Sequence, residues 1–267
     1  MNMISGTINM MFTESFKRME PISLSEMSDI KLMNRIDTKY LMPFENLAEL
    51  LKRLEKDFMI QEVDGQKLAK YSTMYFDTEE LIMYTMHHDR RCNREKIRTR
   101  SYLDSGISFL EVKKKDNKGR TRKNRISIPN DDFADFTRNP EASVFLNKKT
   151  SFIVDEIKPH ISSTFDRITL VNKCKTERIT IDTNLCFTNC RTGIKLNLSE
   201  LVIIELKQDG RIHSLLRDIL ADFRVFPGGV SKYCLGTVLT NPNVKNNRFK
   251  QKLRYIEKLI SNKNATN

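Results

Sequence analysis

Tryptophan is absent from these 267 residues, and so is every short motif that would hold a nucleotide by its backbone. There is no Gly-x-x-x-x-Gly-Lys loop and no Gly-x-Gly-x-x-Gly turn, so any phosphate contact falls to side chains. The five cysteines (Cys92, Cys174, Cys186, Cys190, Cys234) are odd in number and contain no Cys-x-x-Cys pair. They read as reduced thiols, not as a disulfide framework or a zinc site. No apolar run approaches the roughly 18 residues that span a bilayer. No basic segment followed by an apolar one marks a secretory signal. A cytoplasmic protein is the expectation, and a membrane partner, if there is one, is not encoded in this chain.

Acidic residues are also in short supply. Against 46 Lys and Arg stand 34 Asp and Glu, a formal net charge of +12. An excess of this size predicts an anionic partner: nucleic acid, a membrane surface or a phosphorylated small molecule. The 39% hydrophobic fraction is enough for a real core, and apolar residues recur throughout the chain. RNA readers stack bases on exposed aromatics. Here the tyrosines and phenylalanines fall mostly on apolar stripes, so no nucleic acid is expected.

The informative feature is alternation. Arg35-Ile-Asp37-Thr-Lys39, Lys96-Ile-Arg98-Thr-Arg100, Glu111-Val-Lys113-Lys-Lys115 and Glu205-Leu-Lys207 place charges on every second residue. In a strand that period puts all of them on one face. Lys123 and Arg125 share a face, as do Arg178 and Asp182, opposite Ile179 and Ile181. One such strand is an ordinary wet surface with cross-strand ion pairs. Several of them, with apolar opposite faces and amphipathic helices to cover those faces, predict a sheet wrapped around a cationic interior. Cations packed together in this way are very unfavourable unless anions or water offset them.

Strands are expected at Asn34–Met42, Lys70–Asp77, Cys92–Leu103, Ile107–Lys115, Arg120–Ile128, Ser162–Val171, Glu177–Asp182, Leu185–Asn189 and Leu201–Gln208. The turns Asp104-Ser-Gly106 and Asn117-Lys-Gly119 join three of them into a meander. Helices are expected near 44–56, 130–154, 212–223 and 246–261, the first opened by Pro43. His87-His88, after a short helix, reads as a surface pair. The domain division is 1–30 as an N-terminal extension, 31–240 as the main domain, and 241–267 as a basic helix belonging to it.

Several short motifs occur in order: Arg35-x-Asp-x-Lys39-Tyr40, Tyr75-Phe-Asp77-Thr, Lys96-Ile-Arg98-Thr-Arg100-x-Tyr102, Phe109-Leu-Glu111-Val-Lys113, Phe165-Asp-Arg167, Arg178-Ile-Thr-Ile-Asp182, Ile204-Glu205-Leu-Lys207 and Ser231-Lys232-Tyr233. The set resembles the catalytic domain of the vacuolar transporter chaperone (VTC) family, the polyphosphate polymerase branch of the triphosphate tunnel metalloenzymes. The resemblance implies an α+β fold: an antiparallel eight-stranded β-barrel, the triphosphate tunnel, with helices packed around the outside. It implies transfer of the γ-phosphate of ATP to a growing inorganic polyphosphate with a divalent metal, Mn²⁺ or Mg²⁺. By motif, Lys39, Lys113, Lys123, Arg125, Arg167 and Arg178 would bind phosphates together with Lys207. Arg98 and Arg100 would act at the reacting phosphates, Lys232 near the transferred phosphoryl group, and Glu205 on the metal. Such chemistry needs mostly positioning and charge neutralisation.

The chain departs from the family pattern in two places. Gly229 stands where polymerase members often carry a further lysine, three positions before Lys232. The Glu-x-Glu-x-Lys strand of the tunnel hydrolases reads Arg35-x-Asp37-x-Lys39 here. Fewer acids on that strand favour one metal and a long anion over two-metal hydrolysis. The alternatives are a metal-dependent triphosphate or polyphosphate hydrolase, and a non-catalytic polyanion- or RNA-binding module.

Overall fold

The computed structural model describes residues 12–28, 30, 35–210 and 212–261. Its strands are β1 (Pro21–Ile22), β2 (Arg35–Pro43), β3 (Phe58–Gln61), β4 (Ala69–Asp77), β5 (Arg94–Tyr102), β6 (Ile107–Lys115), β7 (Thr121–Ile128), β8 (Lys158–Asn172), β9 (Glu177–Asn189), β10 (Lys195–Leu198) and β11 (Leu201–Asp209). The helices are α1 (Leu24–Ser28), α2 (Leu47–Leu54), α3 (Ile82–His88), α4 (Pro140–Lys149), α5 (Leu215–Asp222), α6 (Lys232–Thr240) and α7 (Lys250–Ser261).

Eight strands form one antiparallel path, β2-β11-β9-β8-β4-β5-β6-β7, and the three short strands pair beside it. Residues of both outermost strands, among them Lys39 of β2 and Lys123 of β7, line a single cavity with residues of the other six. The sheet therefore curls into a tunnel. Among the described residues β2 and β7 exchange no ladder bonds, so the ring stays open along a seam. The chain after Phe226 runs beside the β2 edge: Pro227 bridges Tyr40, and the Gly228 N–H donates to the Lys39 carbonyl at 2.7 Å.

The outer face follows from the alternation. Ile179, Ile181, Ile204 and Leu206 pack under α2 and α5 in one apolar cluster. Ile97, Leu110 and Val112 pack with Phe136 and Leu146 in another. The region 130–154 is not one helix. Pro140 disfavours helical backbone at the residue before it, so α4 starts afresh there, with the Asn139 side chain accepting from the Ala142 N–H. Glu177–Asp182 and Leu185–Asn189 join into the single strand β9, with a register shift opposite Thr164–Asp166.

One helix is not outside. On the inner face, Leu41, Phe165, Phe187 and Ile203 form an apolar half, and α6 covers it with Tyr233 and Leu235. Gly236 makes this approach close: a Cβ there would lie 2.7 Å from Phe187 Cδ1 and 2.8 Å from Ile161 Cγ2. The inner face is thus divided into an apolar part plugged by α6 and a charged part left open. No helix among the described residues is long and apolar enough to cross a membrane.

Candidate functional site

The open half of the tunnel is a cavity of about 510 Å³. Ten Lys and Arg side chains line it against three carboxylates, Asp37, Asp182 and Glu205. Strand register stacks these charges in rows. Lys96, Lys113 and Lys123 stand opposite one another across β5, β6 and β7, and the neighbouring row on the same face is Arg98, Glu111 and Arg125.

Asp182, Glu205 and the buried Glu111 behind the lining neutralise part of this field, and Asp37 pairs with Arg35 at 2.8 Å. Glu111, with no exposed side-chain surface, accepts from Arg98 Nε and Nη2 at 2.8 and 2.6 Å and is paired with Lys123. Its pKa falls to about 2: burial pushes it up, but Arg98, Arg100 and Lys123 together outweigh burial. Asp182 accepts both forks of Arg167, at 2.6 and 2.8 Å, and the Lys232 ammonium. Its pKa is lowered against an opposing burial effect by these same two cations. Glu205 pairs with Lys39 at 2.6 Å and with Lys207 at 3.0 Å. Burial raises its pKa, and the two lysines pull it below the ordinary range.

Three of the lining cations, Lys96, Arg100 and Lys113, have no carboxylate partner among the described residues, and Lys96 donates to the Ser231 hydroxyl instead. Arg100 is buried, donates to the Thr73 hydroxyl at 3.3 Å, and rests against the rings of Tyr71 and Phe165. Burial, then Arg98 and Arg167, lower its pKa to about 10. Lys113 is pushed down to about 6, first by Arg98, then by burial and Arg100. The repulsion from Arg98 and Arg100 that disfavours its charged form is what a nearby anion would relieve.

Lys232, the first residue of α6, has its ammonium 3.9 Å from the Phe165 ring centroid. Burial is the main reason its pKa drops to about 7; Arg167 adds to the drop and Asp182 opposes it. Its neighbours fix the helix start. Lys96 donates to Ser231 Oγ at 2.8 Å, and the Tyr233 hydroxyl donates to the buried Asp77.

Of the residues expected from sequence, Lys39, Arg98, Arg100, Lys113, Lys123, Arg167, Glu205, Lys207 and Lys232 meet around this cavity. Arg178 and Arg125 do not line it. Arg178 shares the inner face but lies at its end, with Nη2 donating to the Met27 carbonyl at 2.7 Å. Arg125 is exposed, its guanidinium 4.3 Å from the Phe109 ring centroid. Strand alternation reports the face of a residue, not its distance from the middle of the tunnel, so both carried the same signal as the lining residues.

The expectation for His87-His88 does not hold. The His88 side chain is fully buried and bonds Asp89 at 2.8 Å, and His87 lines the cavity. Asp37 also lines it and had not been singled out as a metal ligand. It stands opposite Lys207, while Lys39 stands opposite Glu205, so the two acids are diagonal neighbours on one face. No group of three or more His, Cys, Asp or Glu comes together to hold a metal among the described residues. One or two hard carboxylates in a phosphate-binding cavity nevertheless fit a divalent cation that takes its remaining oxygens from phosphate and water.

Comparison with known proteins places these observations. The profile of the VTC domain matches residues 34–241. No curated protein sequence matches the chain. Among solved structures, a Hippeastrum candidate adenylyl cyclase described as having dominant triphosphatase activity is 16% identical, with 77% of this chain and 96% of that one covered and a TM-score of 0.48. A Vibrio parahaemolyticus candidate adenylate cyclase is 14% identical, with 75% and 97% covered and a TM-score of 0.43. A Pyrococcus horikoshii protein is 13% identical, with 76% and 98% covered and a TM-score of 0.42. These structural likenesses carry no argument about activity.

Proposed function

The chain belongs to the VTC domain family, and on that premise we propose that it is a metal-dependent polyphosphate polymerase acting on ATP. A terminal oxygen of a polyphosphate attacks the γ-phosphorus, the bond from that phosphorus to the β–γ bridging oxygen breaks, and ADP leaves with the electron pair. The polymer is longer by one phosphate. The observation that carries this reading is three cations without a carboxylate partner among the described residues, Lys96, Arg100 and Lys113, in a cavity already crowded with positive charge. The free protein bears a large electrostatic cost there, and a phosphate chain removes it.

In this reading Lys113, Lys123, Arg98 and Arg100 grip the phosphates, and Lys39 and Lys207 join them when the cation takes Glu205. Lys232 faces the transferring group as a compact point charge. Glu205, with Asp37 diagonal to it, would hold the divalent cation, which supplies charge neutralisation across phosphate oxygens. Two acids on one face, with two lysines on Glu205, favour one cation and a long anion over two-metal hydrolysis. The test is to incubate purified protein with ATP and Mn²⁺ and resolve the products. ADP with a long anionic polymer supports the polymerase. ADP with stoichiometric orthophosphate and no polymer makes it a hydrolase, and no turnover leaves a binding module.

A further inference from the structure

Phe165 lies beneath the charged half of the tunnel without lining it, and its side chain is buried. Strand register sets it opposite Tyr71 across β4 and β8, and the two rings stack with centroids 5.2 Å apart and planes 5° from parallel. The Lys232 ammonium is 3.9 Å from the Phe165 centroid. That distance places it over the ring face, because an approach along the edge holds a nitrogen at roughly 5 Å or more. Two guanidiniums converge on the same pair of rings. Arg167 is 4.9 Å from the Tyr71 centroid and 5.3 Å from that of Phe165, and Arg100 is 5.4 and 5.9 Å from them.

These three cations share one carboxylate. Asp182 pairs with Arg167 and Lys232, and Arg100 has no acid of its own among the described residues. All three are largely withdrawn from water, so solvent screens little of their mutual repulsion. A second carboxylate would hold them together, yet it would repel the phosphates they are to receive. A ring face attracts a cation through its quadrupole and carries no net charge, so it offsets the repulsion without competing with an anion. We propose that Phe165, stacked on Tyr71, is a positioning residue of the reaction. Its face fixes the Lys232 ammonium where the transferring phosphoryl group arrives, and the paired rings keep Arg100 and Arg167 beside it. The proposal rests on the tunnel being the site of phosphoryl transfer and adds a residue that touches no phosphate. Bulk alone does not require an aromatic there. An aliphatic side chain would fill the same place in the apolar cluster with Leu41 and Phe187, but would leave the ammonium to Asp182 alone.

Replacing Phe165 by mono-, di- and trifluorinated phenylalanine keeps the shape of the ring and drains its negative face stepwise. Phe165→Leu removes the face altogether. Single-turnover release of ADP from ATP with Mn²⁺ reads the chemistry, and calorimetry with a non-hydrolysable ATP analogue reads binding. The expected result is a rate that falls in step with fluorine count, by about tenfold at three fluorines, while analogue affinity changes by less than about threefold. Phe165→Leu should lose at least as much rate, and the fluorinated set decides the matter where the leucine variant does not fold. A rate indifferent to fluorine count overturns the positioning role and leaves the tunnel reading standing. Parallel losses of rate and affinity do the same, since they make the ring a support for the whole site. Wild type that releases no ADP overturns the tunnel as a site of transfer and the positioning role with it.

Discussion

The Tyr233 hydroxyl donates to Asp77 Oδ2, and the same carboxylate accepts the backbone N–H groups of Thr78, Met83 and Tyr84 at 2.8–2.9 Å. Asp77 thus caps α3 and moors α6 at once. The residue before Tyr233 is Lys232, bonded in another direction to Asp182, and the one before that is Ser231, which accepts from Lys96. Three consecutive side chains fix the helix end that carries the ammonium.

Tyr233→Phe keeps the ring in place, stacked on Tyr75 at 5.4 Å, and removes only the mooring. A hydrogen bond to a charged group contributes about 1.5–3 kcal/mol, so a loss of stability of that order is expected in urea unfolding. If Tyr233 positions Lys232, the single-turnover rate also falls, about tenfold, while ATP affinity changes little. An unchanged rate with reduced stability would make the contact purely structural.

Gly236→Ala places a methyl group against Phe187 and Ile161, both with no exposed surface and no room to retreat. Overpacking typically costs about 1–3 kcal/mol. Alanine's better helix propensity returns about 1 kcal/mol. The melting temperature should fall, and a rise would mean that α6 can slide along the inner face.

The charged faces of β5, β6 and β11 were legible because period-two alternation is a local property, and the partners under α2 and α5 followed from the opposite faces. The inward position of α6 was not legible. Its residues from Tyr233 to Val238 are all buried, so no polar stripe marks an outer side. Arg125 and Arg178 alternate just as Lys113 does, yet only Lys113 lines the cavity, because alternation reports the face of a residue and not its position along the tunnel. The nearness of Asp37 to Glu205 was not legible, because the two lie 168 residues apart in sequence and become diagonal neighbours only across the β2–β11 ladder.

Glu205→Gln retains shape and removes the charge that both Lys39 and Lys207 answer. Metal-dependent turnover should drop by a hundredfold or more, on the order of 3 kcal/mol in the barrier, with the fold intact by circular dichroism. Tripolyphosphate binding without metal should strengthen, because two lysines are freed for the anion. Near-normal metal-dependent turnover would move the cation to another carboxylate, with Asp37 the first to test.

Lys113→Met separates stability from function. The ammonium sits among Arg98 and Arg100 with no carboxylate in bonding distance among the described residues, and methionine has similar length and no charge. The free variant should melt higher than wild type, because folding no longer has to strip a proton from this lysine or hold its charge beside Arg98 and Arg100. Tripolyphosphate affinity should fall about tenfold or more. A lower melting temperature would show that the lysine stem, not its charge, matters there.

The two depressed lysines also set a pH dependence. Lys113 titrates at about 6 and Lys232 at about 7 in the free protein, against about 10.4 in an unfolded chain. Between those values the unfolded state binds more protons, so their contribution to stability rises with pH across that window. A bound polyanion reverses the sign of the local field and raises both pKa values. Binding at pH 8 therefore takes up protons, and affinity falls as pH rises from 6 to 9. Calorimetry of tripolyphosphate binding at pH 8, in two buffers of different ionisation enthalpy, measures the uptake directly. Between one and two protons per ligand are expected for wild type, with a smaller number for Lys113→Met. Zero uptake would mean that both lysines already carry full charge in the free tunnel, and that the cations tolerate one another without an anion.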